Sequence, residues 1–263
     1  MIKRFKRLRD FDISLLIKND HFIHPPRESQ KSWLLNKAIG EFVDDLMHLD
    51  TLSKQFVPGA QVLSLHDRSQ ENLGAEDIME DWQKPLMQAM AEVVTEAHGD
   101  VLEVGFGRGV SANYIQEMGV NSHTIIECND FIVQRFHAWK GCYPDADIRL
   151  MHGKWQDVVD GLATYDGIFF HTYPLNETEH AEHIVQSTTF AEHFFPTAAA
   201  HLRQGGIFTY LTNEIDSLSR GHQRLIFQYF SAMALRVVAP LNLPEDVKDA
   251  WWADSMMVIK AIK

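Results

Sequence analysis

An apolar strand followed by a glycine-rich loop constrains the fold of this chain more than any other feature. The segment LEVGFGRG, residues 102–109, places Gly105, Gly107 and Gly109 between an apolar run and a helical pattern. Glycines there let the backbone approach a bound nucleotide closely, and the following helix N-terminus favours negative groups. Ala112 takes the place of the third glycine of a full G-x-G-x-x-G pattern, which a small residue can fill. Glycines that merely turn the chain are the alternative.

An acidic residue ends the next predicted strand. The segment TIIECND, residues 124–130, places Glu127 about twenty residues after the loop, where its carboxylate can accept hydrogen bonds from both ribose hydroxyls of a nucleotide. Redox dinucleotides and S-adenosylmethionine are both bound in this way. Glu103, directly before the loop, and a chain with little room for a separate dehydrogenase substrate domain favour S-adenosylmethionine.

The order of strand and helix signals predicts the fold class. Apolar runs separated by helical patterns indicate an α/β fold with a mostly parallel, doubly wound, Rossmann-like sheet, to which the glycine loop and Glu103 add the features of a class I methyltransferase. We predict a helix over residues 77–99, interrupted near Pro85 and closed by Gly99. A second helix is expected over residues 188–206, with Gly-Gly at its end, and the last strand over residues 252–263.

The first 75 residues form a helical N-terminal extension or lid in this interpretation, and residues 76–263 form the methyltransferase domain. An amphipathic pattern over residues 29–56 predicts a helix in the extension. Five basic residues near the N-terminus fit a solvated terminal helix, with contact to a membrane or an acidic peptide as the alternative: Lys3, Arg4, Lys6, Arg7 and Arg9.

Charge and cysteine content exclude several classes of protein. A formal net charge of −12 argues against a general nucleic-acid binder, because such proteins gain affinity from basic side chains that neutralise phosphates. Cys128 and Cys142 do not form a metal-type pair, and no signal peptide or membrane-spanning segment is recognisable, so we expect a soluble, reduced, cytoplasmic protein. A homodimer is compatible with the sequence, which leaves the oligomeric state open.

Six segments, in matching order over roughly residues 76–263, resemble the guanidinoacetate N-methyltransferase family. They are IMEDWQKPLMQAMA, VLEVGFGRG, TIIECND, GKWQDV, YDGIFFHTYPLNE and GGIFTYLT. The resemblance implies that S-adenosylmethionine is the cofactor and that its ribose is bound by Glu127. It further implies that Trp155 and Gln156 lie beside the adenine and that Met79 and Met87 pack on the cofactor. The backbone that holds the methionine part would be that of Gly105, Phe106, Gly107, Arg108, Gly109 and Val110.

Two positions depart from the family pattern. The family binds the guanidinium of its substrate with two carboxylates, and Gln83 and His171 stand in their places here. A guanidinium is always cationic and pairs best with bidentate carboxylates, so we predict that guanidinoacetate is not the substrate. A core imidazole bonded to a backbone carbonyl is the alternative interpretation of His171.

The acceptor side is predicted from the same resemblance. His171, which we also place beside the cofactor, is a candidate general base for an amine. Gln83 and a protonated His171 are candidate donors to a carboxylate or phenolate. Tyr173 would add a hydroxyl, and Asn213 and Glu214 would contact the acceptor. We predict no metal, because His180, His183 and His193 have no further ligand at motif spacing.

Three hypotheses follow for function. The first is an S-adenosylmethionine-dependent methyltransferase that acts on nitrogen or oxygen of a small molecule or modified peptide, for example as a tailoring step in biosynthesis. The second is an inactive cofactor-binding module that regulates or scaffolds a partner. The third is an NAD-dependent oxidoreductase, which NAD rather than S-adenosylhomocysteine would stabilise.

Overall fold

A computed structural model describes residues 68–180, 182–183, 187–212, 214–215, 217–244 and 254–263. Most of the predicted extension and Asn213 therefore lie outside the described residues. Within them the strands form one seven-stranded sheet in the order β3-β2-β1-β4-β5-β7-β6. The strands are β1 (Asp100–Val104), β2 (Ser122–Glu127), β3 (Ile148–His152), β4 (Tyr165–Phe170), β5 (Leu202–Tyr210), β6 (Ala232–Val238) and β7 (Met256–Ile262).

Helices connect the strands. In the described residues they are α1 (Ala75–Ile78), α2 (Lys84–Val94), α3 (Val110–Glu117), α4 (Asp130–Lys140), α5 (Trp155–Val158), α6 (Glu177–His180), α7 (Phe195–His201) and α8 (Arg220–Tyr229). Strands β1 to β5 pair in parallel, whereas β7 runs antiparallel to both β5 and β6. This arrangement confirms the mostly parallel, doubly wound α/β fold.

Buried side chains on both faces of the sheet explain why its central strands are continuously apolar. In β4, Phe169 packs with α2 on one face, while Ile168 and Phe170 join the aromatic cluster with α7 on the other. Alternation along a strand delivers successive side chains to opposite faces, so a strand covered on both sides needs apolar residues throughout. Because β1 pairs in parallel with both β2 and β4, the carboxyl ends of these three strands meet at one edge of the sheet, where ligands of doubly wound folds bind.

Two predicted helices have other boundaries in the structure, and the differences lie at Pro85 and at the Gly205 and Gly206 pair. The helix expected over residues 77–99 is divided into α1, a 3-10 turn at Asp81–Gln83 and α2, because Pro85 occupies the first turn of α2 and starts that helix. The helix expected over residues 188–206 ends at His201. Its Gly-Gly pair lies inside β5, at a register shift opposite β4. The sequence analysis did not identify α8 or β6.

Candidate functional site

The glycine loop joins β1 to α3 in a conformation that requires glycine. Gly105 has a φ of +92° and Gly109 a φ of +73°, both in the region that favours glycine. A Cβ on Gly105 would lie 2.3 Å from the carbonyl oxygen of His171. His171 is fixed beside the loop because Val104 and Phe170 pair in register and the His171 amide donates to the Val104 carbonyl at 3.1 Å. The loop therefore packs directly against the tip of β4.

Glu127 holds this loop in place. One carboxylate oxygen accepts hydrogen bonds from the amides of Phe106 (3.0 Å) and Gly107 (3.3 Å). The other accepts from the amides of Cys128 (2.8 Å) and Asn129 (2.9 Å). These four amides match the acceptor capacity of a carboxylate. Glu127 thus ties the ends of β1 and β2 together, a role that the sequence analysis missed, and its contact with ribose stays a prediction.

A buried polar network supports the loop from below. Glu103 is fully buried and accepts a hydrogen bond from the hydroxyl of Ser111 in the first turn of α3. Its other oxygen lies 3.0 Å from Nε2 of His123, whose Nδ1 lies 3.0 Å from the side-chain amide of Gln116. The network connects β1, β2 and α3, so Glu103 orients the helix that follows the loop. Only Glu103 had a signal in the sequence, as the acid before the glycines.

The side chain of Arg108 points to the segment before α2. Its Nη1 donates to the Met79 carbonyl at 2.6 Å and lies 2.8 Å from the Asp81 carboxylate. Hydrogen bonds from Lys84 and Arg108 lower the pKa of Asp81. Arg108 therefore joins the glycine loop to the segment that carries Met79 and Gln83.

A cavity of about 460 Å³ opens above the loop, within the size range of small-molecule sites. It brings together most of the predicted site, namely Met79, Gln83, Gly105, Phe106, Gly107, Arg108, Val110, Glu127, His171 and Tyr173. We call it the cofactor cavity. Gly109 is not among its lining residues, because it turns the chain under the Phe106 ring. Met87 is also absent from the lining and packs in the core between α2 and the sheet.

The side chains of Trp155 and His193 line a smaller pocket next to the cofactor cavity. Gln156 also lines this pocket, which shares Gly105 and Glu127 with the cofactor cavity. The Trp155 ring packs against His193, with 5.5 Å between ring centroids, and burial lowers the pKa of His193 to about 4. His183 in turn stacks on His193 at 4.2 Å. Within the described part of the chain, no group of three or more His, Cys, Asp or Glu side chains is arranged to hold a metal ion.

His171 lies between the cofactor cavity and a second cavity of about 230 Å³, which we call the acceptor cavity. Its imidazole is half-buried and makes no hydrogen bond to any described residue, unlike a core imidazole held by a backbone carbonyl. Burial lowers the pKa of His171 to about 4, so the ring is neutral at physiological pH. Tyr173 is 57% exposed, and the Arg68 guanidinium lies 5.4 Å from its ring centroid.

Glu214 reaches the acceptor cavity from the segment after β5. Its carboxylate lies 2.9 Å from Nδ1 of His222 and accepts a hydrogen bond from the Ser219 amide, also at 2.9 Å. Nε2 of His222 lies 2.6 Å from the hydroxyl of Tyr210. The sequence predicted Glu214 as an acceptor contact. It missed Ser219 and His222, which hold the carboxylate, because α8 was not recognised.

These features fit S-adenosylmethionine. The closely packed glycine loop leads into the N-terminus of α3, and Glu127, engaged by four backbone amides, fixes the loop at the cavity wall. The sequence profile described as guanidinoacetate N-methyltransferase matches residues 59–231, more than half of the chain. The chain belongs to the guanidinoacetate N-methyltransferase family. It is a class I methyltransferase whose cofactor is S-adenosylmethionine.

Other similar proteins carry related names. Protein arginine N-methyltransferase 2 of Eremothecium gossypii is 29% identical over 147 residues, which cover 51% of this chain and 33% of that protein. Its namesake in Candida glabrata is 28% identical over 114 residues, 40% of this chain and 26% of that protein. The aligned part thus spans a third or less of these curated relatives.

Among solved structures, precorrin-6y C5,15-methyltransferase from Geobacter metallireducens is similar with a TM-score of 0.48 and 10% identity. The match covers 70% of this chain and 88% of that one. None of the helices in the described ranges is long and apolar enough to cross a membrane.

Proposed function

We propose that this methyltransferase acts on a nitrogen of a small molecule or peptide other than guanidinoacetate. The observation that carries the proposal is the pair of neutral side chains, Gln83 and His171, on the wall of the cofactor cavity. They stand where the family resemblance places two carboxylates. The family name and the names of the curated relatives support nitrogen as the atom methylated.

The loss of both carboxylates removes the reason for a guanidinium to bind. A guanidinium remains cationic at any physiological pH, and its affinity for a desolvated site depends on bidentate pairing with anions. Gln83 offers an amide, and the half-buried imidazole of His171, whose pKa desolvation lowers to about 4, carries no charge. A cation placed against Gln83 and His171 would lose hydration without gaining a charged partner from those two side chains.

The low pKa of His171 also limits the roles that its imidazole can take towards an acceptor. S-adenosylmethionine supplies an electrophilic sulfonium methyl group, and the acceptor must present a lone pair to that carbon. With a pKa of about 4, His171 is a weak base, and it is not protonated at neutral pH. Burial therefore disfavours both roles predicted from an ordinary imidazole, the base for an ammonium and the charged donor to a carboxylate. The neutral ring remains suited to orienting an uncharged nitrogen by a hydrogen bond.

Turnover tests the proposal. The full chain is incubated with S-adenosylmethionine and, separately, guanidinoacetate, an arginine peptide, a lysine peptide and a small heteroaromatic amine, and S-adenosylhomocysteine formation is measured. We expect methyl transfer to a nitrogen acceptor and none to guanidinoacetate. Product mass and fragmentation identify the methylated atom. Methylation of a carboxylate or hydroxyl would contradict the proposal, and so would cofactor binding without turnover of any acceptor, as expected of an inactive module.

A further inference from the structure

The acceptor cavity has a wall of aromatic, aliphatic and hydroxyl side chains with one charged group. Among the described residues that line it, Glu214 alone is charged at neutral pH, since His171 is neutral and the other members are aromatic, aliphatic or hydroxyl side chains. The acceptor cavity shares His171, Thr172, Tyr173 and Leu211 with the cofactor cavity. A molecule in it can therefore present one end to the cofactor.

The Glu214 carboxylate is held rigidly. The backbone carbonyl of Glu214 accepts a hydrogen bond from the Met257 amide of β7 at 3.1 Å, and the Ser219 amide donates to one carboxylate oxygen. The other oxygen faces Nδ1 of His222, a fully buried residue of α8. Each carboxylate oxygen can accept a second hydrogen bond, so the group retains capacity on its open side.

Tyr210 extends the hydrogen-bond network of Glu214 through His222. Burial raises the pKa of Tyr210 well above its usual value, so the hydroxyl keeps its proton where it lies 2.6 Å from Nε2 of His222. Nδ1 of the same ring lies 2.9 Å from the Glu214 carboxylate, which can only accept when ionised. Burial raises the pKa of Glu214, but the hydrogen bonds from His222 and Ser219 outweigh it and lower the pKa below its usual value. Tyr210 and His222 are thus positioning residues that maintain an anion at the cavity wall.

We propose that Glu214 binds an ammonium group of the acceptor, while a separate, uncharged nitrogen of the same molecule lies towards His171. A carboxylate as the one charged group of this wall favours a cationic partner, because charge-assisted hydrogen bonds are stronger than neutral ones. The same anion repels carboxylates. The acceptor is therefore a compound with a positive charge at a distance from the methylated nitrogen. This assignment rests on the proposed nitrogen methylation, but Glu214 can be tested without turnover.

Three probes that differ at one end test the assignment. They are 4-aminobutan-1-ol, butane-1,4-diol and 4-hydroxybutanoate, titrated into the full chain with and without saturating S-adenosylhomocysteine. We expect the amino alcohol to bind about tenfold or more tightly than the diol, and the carboxylate to bind least. Glu214→Gln should reduce the amino alcohol to the affinity of the diol, with S-adenosylhomocysteine affinity unchanged.

Tyr210→Phe tests the positioning role. It removes the hydroxyl that faces Nε2 of His222 and should reduce the preference for the amino alcohol over the diol severalfold, while the diol affinity, which reports an intact cavity, stays the same. An equal loss for both probes would indicate a purely structural role. A preference that survives Glu214→Gln overturns the proposal. Failure of S-adenosylhomocysteine to bind the wild-type chain would instead contradict the cofactor assignment, and the titration without it reports on Glu214 separately.

Discussion

The cofactor cavity and the acceptor cavity are built by different means. The cofactor side depends on backbone: Gly105 packs on a carbonyl, and Glu127 is engaged by four amides. The acceptor side depends on side chains, namely Gln83, His171 and the Glu214–His222–Tyr210 network. Backbone geometry tolerates few substitutions, whereas side chains on a cavity wall can change without disturbing the sheet. This difference explains how the chain can keep the glycine loop and Glu127 of the family and still differ from the family at Gln83 and His171.

The largest effect should come from Gly105→Ala. A Cβ 2.3 Å from the His171 carbonyl oxygen cannot be accommodated without moving the β4 tip, and the φ of +92° adds strain. We expect S-adenosylhomocysteine affinity to fall at least about 100-fold, measured by calorimetry. Gly119→Ala is the matched control, because Gly119 has a φ of +72° and open space around its Cβ position. It should cost about 1 kcal/mol of stability and leave affinity unchanged; equal affinity losses would refute the account.

Glu127→Gln should have the next largest effect. An amide oxygen replaces one carboxylate oxygen, and an NH₂ group faces two backbone donors, so the loop loses part of its support. We expect S-adenosylhomocysteine affinity to fall about 10- to 100-fold, from the loss of charge-assisted hydrogen bonds. Exposed Glu117→Gln, on α3, is the charge-matched control. Wild-type affinity in Glu127→Gln would show that the carboxylate is dispensable for the cavity.

His171→Asn should alter the pH dependence of stability. The native pKa of His171 is about 4 and its ordinary value is 6.5, so between these pH values the unfolded chain binds a proton that the native chain does not. Wild-type stability therefore falls as the pH drops from 6.5 to 4, by up to about 3 kcal/mol from this group. Urea unfolding of both proteins across this range should show a shallower decline for the variant. Parallel curves would indicate that the imidazole is not desolvated.

Arg108→Lys should have the smallest effect. Lysine retains the charge but cannot reach the Met79 carbonyl and the Asp81 carboxylate with the same planar group. Because ion pairs of partly exposed groups contribute little, we expect S-adenosylhomocysteine affinity to fall about two- to fivefold. Calorimetry at low and high salt tests the cause, since the difference should shrink as salt increases. A loss comparable to that of Glu127→Gln would place Arg108 in direct contact with the cofactor.

The cofactor side was largely predictable from the sequence. Glycines and an acid at fixed spacing reflect local constraints on the backbone, so LEVGFGRG and Glu127 indicated both the loop and its place in the fold. Sequence spacing could not show that Met87 faces the core, because methionines at helical spacing suit either environment. The Gly-Gly pair suggested a helix end, whereas a register shift opposite β4 places it in β5.

The acceptor side was less predictable because it is assembled from distant segments. His222 is twelve residues from Tyr210, yet their side chains meet through the folding of α8 back onto β5. Ser219 caps α8, a signal in the sequence that could have identified this helix. The neutrality of His171 likewise follows from burial in the folded chain, which its position at the end of an apolar run did not reveal.

The most direct test of the central claim is a calorimetric titration of guanidinoacetate into the chain saturated with S-adenosylhomocysteine. The wild-type chain is compared with the double variant Gln83→Glu, His171→Asp, which restores both family carboxylates. We predict no detectable binding to the wild type and at least about tenfold tighter binding to the double variant, because two anions would again face the guanidinium. Tight binding of guanidinoacetate by the wild-type chain would contradict the account.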